Sequence, residues 1–183
     1  SSDLENQQAI HYLQQLQALN PHYQSTYLYL AEALQEEELL DEAQATIEAG
    51  IKENPYQVDF YQFASENAYR LHDVKQAEEY LQKALETGEK MDESLIMLSN
   101  LYLKEADYDG VIATLEQLEN PDDAVAQWNL AQAYNQLEEY DKAAQHYERA
   151  NVELNHEPDF MKEYGIFLRD EGHLQEALHL LTH

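Results

Sequence analysis

An all-α solenoid of antiparallel helical hairpins is the fold that this sequence predicts, and three observations carry the expectation. The small residue Ala43 returns as Ala77, Val111, Ala143 and Ala177, at intervals of 34, 34, 32 and 34 residues. Leu40, Val74, Tyr108, Tyr140 and Leu174 stand three residues before the members of that column, and Ile47, Leu81, Leu115, Tyr147 and Leu181 stand four residues after. A period between about 20 and 50 residues is the signature of a repeat array, in which each unit buries its apolar face only against its neighbours.

The elements follow in order. In residues 1–23, Ala9, Leu13 and Pro21 lie 34 residues before Ala43, Ile47 and Pro55, so this stretch is expected to be the second helix of a repeat whose first helix is missing. Residues 24–57 form the first complete repeat. Tyr27, Leu30, Ala31 and Leu34 fall on one helical face, as do Leu40, Ala43, Ile47 and Ile51. The polar run Gln35 to Glu38 leaves room only for a short connection, which makes the two helices antiparallel, and Asn54-Pro55 ends the second.

Residues 58–91, 92–123 and 124–157 repeat the plan, the middle one shortened by two residues. Their first helices carry Tyr61, Ala64, Ser65 and Ala68; Leu95, Leu98, Ser99 and Tyr102; and Leu130, Ala131 and Tyr134. Residues 158–183 are expected to supply a first helix with Met161, Tyr164, Gly165 and Leu168, a turn at Glu171-Gly172, and most of a second helix. The small residues Ala31, Ser65, Ser99, Ala131 and Gly165 are read as points of close helix approach. The cut ends suggest a piece of a longer array.

Trp128, Leu130, Ala131, Tyr134, Tyr140, Ala143, Tyr147 and Ala150 give the fullest form of the motif, with Trp128 one place late. In this the chain resembles the tetratricopeptide repeat family over nearly its whole length. The resemblance implies a right-handed superhelix whose first helices line the concave face, and binding of a protein or peptide there. One form of that binding, a clamp on a partner's C-terminal carboxylate, is not expected. Asn100 and Asn129 match two of its places, but Ile96 replaces a lysine, and Asp159 and Glu163 stand where a basic pair would be.

Charge is the second informative feature. Asp and Glu number 37 against 10 Lys and Arg, a net charge of −27, and the acids spread along the whole chain. Such a field repels phosphate backbones and anionic lipid, so nucleic acid and membrane are not expected partners, and a partner selected by charge would be basic. Solubility alone is the competing account of the same charge. Cysteine is absent, which excludes thiol chemistry and fits a reducing compartment, so the cytoplasm is the expected location.

Enzyme signatures are missing: no glycine-rich phosphate loop, no G-x-S-x-G and no H-E-x-x-H. His179 and His183 have ligand-like spacing but stand at a helix end without a third ligand, and no cofactor is expected. The candidate site is therefore the first-helix face. It comprises Leu28 and Glu32; Gln62, Glu66, Tyr69 and Arg70; Ile96, Asn100, Leu103 and Lys104; Trp128, Gln132 and Asn135; and Ile166 and Arg169. Apolar anchors among polar groups are how helical surfaces hold peptides. For Trp128, a displaced core tryptophan is the competing reading. Two functions follow: a non-catalytic scaffold binding a peptide or protein on this face, or a regulatory or recruiting segment of a larger protein whose effector domain lies elsewhere.

Overall fold

The computed structural model describes residues 2–182. The column residue Ala177, as a side chain, and His183 lie outside the described residues, as do the Glu176 side chain and Ser1. The helices in order are α1 (Ser2–Leu19), α2 (Gln24–Glu36), α3 (Leu40–Glu53), α4 (Val58–Arg70), α5 (Val74–Glu86), α6 (Met91–Lys104), α7 (Tyr108–Leu115), α8 (Ala124–Gln136), α9 (Tyr140–Leu154) and α10 (Pro158–Thr182). No strand occurs among the described residues.

The chain divides into two compact units, one running to Met97 and the other starting at Leu98, so the division falls inside α6. In the first unit α2 pairs with α3 and α4 with α5, α1 packs on α2, and α3 packs on α4. In the second, α8 pairs with α9, α7 packs on α8, and α10 on α9.

One turn design joins first helix to second in all four complete repeats. Leu39 N–H donates to the Leu34 carbonyl at 2.9 Å and Glu38 N–H to that of Gln35 at 2.9 Å, and Glu38 is left-handed at φ 59°. The same pair of bonds recurs around His72 (φ 65°), Ala106 (φ 58°) and Glu138 (φ 61°). This is the Schellman termination, which satisfies orphan carbonyls by bending the chain through one left-handed residue. Glycine takes that conformation without strain, whereas an L side chain pays for it. Ala106→Gly is therefore expected to stabilise the protein by about 0.5–1 kcal/mol in urea titration, after allowing for glycine's extra freedom in the unfolded chain.

The prolines do more than stop helices. The Tyr27 hydroxyl donates to the Pro21 carbonyl at 2.5 Å, the Tyr61 hydroxyl to Pro55 at 2.6 Å, and the Gln127 amide to Pro121 at 2.6 Å. In each case the donor stands six residues after the proline, so the first helix of the next repeat holds the end of the preceding linker.

Two of the three expected columns are buried where a repeat is complete, whereas Leu40, Val74, Tyr108 and Tyr140 of the third are only partly buried. Ala43, Ala77, Val111 and Ala143 are fully buried, as are Ile47, Leu81, Leu115 and Tyr147. Gly50 marks a close approach of α3 to α2: a Cβ built there would meet the Tyr27 Cβ at 2.8 Å. Gly50→Ala is expected to push α3 off α2 and cost about 1–3 kcal/mol by thermal or denaturant unfolding, although alanine occupies the equivalent places 84 and 150.

The last repeat departs from the expectation. No turn forms at Glu171-Gly172, and α10 runs unbroken for 25 residues, so Leu174 and Leu181 are exposed rather than buried. The second helices α3 and α9 pack against both their own first helix and the first helix that follows. Continuing the helical ladder through Gly172 then costs only the propensity of one glycine, about 1 kcal/mol. Gly165 is likewise no point of close approach, since a Cβ there would meet nothing within 4 Å. The buried face of α10 is also rotated from the expected one: Phe160 and Phe167 are inside, whereas Met161 and Leu168 are about half exposed. At the other end Ala9 is exposed, and Ile10 and Leu13 of α1 pack against the core of the first unit.

Candidate functional site

First helices carry grooves in each unit. In the first unit an open groove of about 350 Å³ is lined from α2, α4 and α6 by Leu28, Glu32, Asp59, Gln62, Phe63, Glu66, Glu93 and Met97. Its lining alternates apolar side chains with four carboxylates. Asp59 is paired with Lys90 at 2.7 Å and Glu66 with Arg70 at 3.2 Å. Burial pushes the Glu32 carboxyl above its ordinary range, and the charges of Glu36 and Glu66 add to the rise. A carboxyl whose folded-state affinity for protons is raised favours folding below its unfolded value near 4.5, and loses that contribution as pH rises through the folded value. Glu32→Gln is thus expected to raise the melting temperature at pH 7 and to leave it unchanged at pH 3.5.

The second unit has two adjoining depressions that share Asn135 and Glu163. One, of about 350 Å³, is lined by Asn135, Tyr140, Glu163, Ile166, Phe167, Asp170, Glu171 and Leu174. The other, of about 190 Å³, is lined by Leu103, Tyr108, Gln132, Asn135, Gln136, Tyr147 and Glu163. Between them, Glu163 Oε2 accepts the indole N–H of Trp128 at 2.7 Å and the hydroxyl of Tyr147 at 2.8 Å. Burial, then the hydrogen bond to Glu163 and that residue's charge, push the Tyr147 hydroxyl far above its ordinary range, so it stays a donor at any ordinary pH.

Eight of the fifteen candidate residues line these grooves, among them Leu28, Glu32, Gln62 and Glu66 in the first unit, and Leu103, Gln132 and Asn135 in the smaller depression of the second. Ile166 joins them in the larger depression. Gln62 is nearly buried and spends its amide on Ser94 Oγ at 3.0 Å, which ties α4 to α6. Asn100 accepts from Asn129 at 2.7 Å within the second unit. Trp128 is half-buried and meets Phe160 edge-on at 5.4 Å, beside the cluster formed by Ala131, Ala143, Tyr147 and Phe167. Tyr69, Ile96 and Lys104 lie outside these linings, as do Arg70, held by Glu66, and Arg169, which pairs with Asp170 at 3.2 Å.

Glu163 is the residue that sequence reasoning weighed only as a misplaced charge. Its signal was present: it stands one turn after Asp159 on α10 and 35 residues after Trp128. No helix of the described residues is long and apolar enough to cross a membrane, and no group of three metal-ligating side chains converges among them.

Comparison with known proteins places these repeats. Residues 5–62 match the family described as tetratricopeptide repeat, and residues 125–183 match that described as YpiA-like, C-terminal tetratricopeptide repeats. The TPR repeat-containing protein YpiA of Bacillus subtilis (strain 168) is 34% identical over 175 residues, which cover 94% of this chain and 41% of that protein. This chain therefore spans well under half the length of that relative. Among solved structures, MamA from Desulfovibrio magneticus RS-1 superimposes with a TM-score of 0.71 at 18% identity, covering 87% of this chain and 92% of that one. YrrB, described as a TPR protein with an unusual peptide-binding site, does so with a TM-score of 0.64 at 21% identity, covering 94% and 86%. At such identities these two show the fold alone. With the motif in four complete hairpins, two matching family descriptions and a relative named for the same repeat, the chain is a tetratricopeptide repeat protein.

Proposed function

We propose that the chain is a non-catalytic interaction module that holds a protein or peptide partner on its first-helix face. The observation that carries this reading is the position of the grooves: the first unit's is lined from successive first helices and the second unit's mainly so, with tyrosines of α7 and α9 joining, and apolar side chains alternate with carboxylates and amides. YrrB, of the same fold, is described as having a peptide-binding site, which favours a polypeptide as the occupant. The net charge of −27 favours a basic partner over nucleic acid or an anionic membrane, and the absence of cysteine fits a cytoplasmic location. The test is photo-crosslinking in cell extract from a reactive residue placed at Gln132 or Glu32, compared with one at the exposed Val152 on the second helix α9. Polypeptide captured from the first two positions and not the third supports the reading, and the reverse pattern overturns it.

A second reading follows from length. Because the chain corresponds to 41% of YpiA, it would serve as the recruiting segment of a larger protein if an effector domain flanks it. Repeats alone throughout the full-length protein would remove that reading.

A further inference from the structure

We infer that Glu163 is the specificity-determining group of the second unit's groove, and that it takes an arginine or lysine side chain flanked by apolar residues in a polypeptide partner. The inference rests on the first-helix reading above and adds the chemistry of the occupant.

Three features of the geometry point there. First, both hydrogen bonds that hold Glu163 end on Oε2, leaving Oε1 without a partner among the described residues. Second, both donors are neutral, and Glu163 makes no ion pair among the described residues. The groove therefore holds a carboxylate whose charge is unmatched and whose position is already fixed, so binding pays little further side-chain entropy at this residue. Third, the surroundings suit a long cationic side chain. Gln132, Asn135 and Gln136 supply neutral amides, while Leu103, Tyr108, Ile166 and Leu174 supply apolar surface for methylenes and for the flanking residues. An anionic partner would be repelled by Glu163, Asp170 and Glu171. A metal ion lacks a converging ligand set.

The experiment uses fluorescein-labelled peptides of sequence Gly-Ser-Leu-Arg-Leu-Ser-Gly and an otherwise identical peptide with citrulline, the uncharged isostere of arginine. Affinity is read by fluorescence anisotropy on the whole chain at fixed salt. Glu163→Gln keeps an oxygen to accept from Trp128 and Tyr147 while removing the charge. Glu153→Gln on α9 removes the same charge from an exposed second-helix site and controls for general attraction to an acidic protein. The expected result is at least tenfold tighter binding of the arginine peptide than of the citrulline peptide, with that preference lost in Glu163→Gln and kept in Glu153→Gln.

Equal affinity of the wild-type protein for the two peptides overturns the inference without needing any variant. If both then compete with a crosslink from Gln132, the first-helix reading survives it. A preference for arginine that persists in Glu163→Gln also overturns the inference, and if the peptide crosslinks at Val152 the first-helix reading falls with it. No binding of either peptide up to millimolar concentration counts against the inference alone, because the crosslinking from Gln132 and Glu32 uses the natural partner.

Discussion

Phe160→Ala is expected to destabilise the second unit by about 3–5 kcal/mol, a large share of the 5–15 kcal/mol that holds a typical domain folded. Phe160 is fully buried near the start of α10, with Trp128 edge-on at 5.4 Å, Tyr164 at 5.6 Å and Tyr147 at 6.3 Å between ring centroids. Removing the ring deletes the centre of that cluster, and Tyr147 and Trp128, anchored from α9 and α8, cannot both collapse into the space. Met161→Ala provides the comparison, because Met161 is 52% exposed and its loss should cost under about 1 kcal/mol. Urea titration followed by circular dichroism separates the two. Equal costs would mean that α10 buries Met161 and Leu168, the face expected from the repeat motif, and not Phe160 and Phe167.

That contrast shows what the sequence made legible. The three columns built on Ala43, Leu40 and Ile47 keep one chemical character from repeat to repeat, so apolar periodicity exposes them. Two further columns run through the first helices unnoticed. Thr26, Phe60, Ser94, Ala126 and Phe160 stand at one repeat position, and Ala33, Asn67, Leu101, Ala133 and Phe167 at another, and every one of them is buried. Their chemistry changes from polar to aromatic along the array, so no hydrophobic pattern marks them. Polar members find partners that sequence cannot supply: Ser94 Oγ accepts from the Gln62 amide at 3.0 Å, and Asn67 donates to the Leu40 carbonyl and to Gln44 Oε1, both at 2.9 Å.

The turn at Gly172 failed for a related reason. Gly172 stands at the repeat position that is left-handed in Glu38, His72, Ala106 and Glu138, and glycine suits that place best of all. Local chemistry permits the bend but does not compel it, because carrying the helical ladder through one glycine costs only about 1 kcal/mol. The candidate face was legible as a face because first helices share a register. Which of its side chains stay available was not, since Gln62 and Asn100 are drawn into bonds with Ser94 and Asn129.

Trp128→Ala is expected to cost about 2–4 kcal/mol, less than Phe160→Ala because the indole is only half-buried. Two losses combine: the edge-on contact with Phe160, and the N–H that holds Glu163 at 2.7 Å. Trp128→Phe separates them, since a phenyl ring can keep much of the contact with Phe160 while removing the donor. Losing one hydrogen bond to a charged acceptor should cost roughly 1.5–3 kcal/mol at most, and nearer the low end here because Tyr147 still donates to Glu163 at 2.8 Å. The expected order of stability in urea is therefore wild type, then Trp128→Phe, then Trp128→Ala. If Trp128→Ala instead leaves stability within about 0.5 kcal/mol of wild type while partner binding falls, the indole is a groove anchor facing the partner. If stability falls in that order and binding follows only through the freed Glu163, Trp128 acts on the partner through the carboxylate it positions.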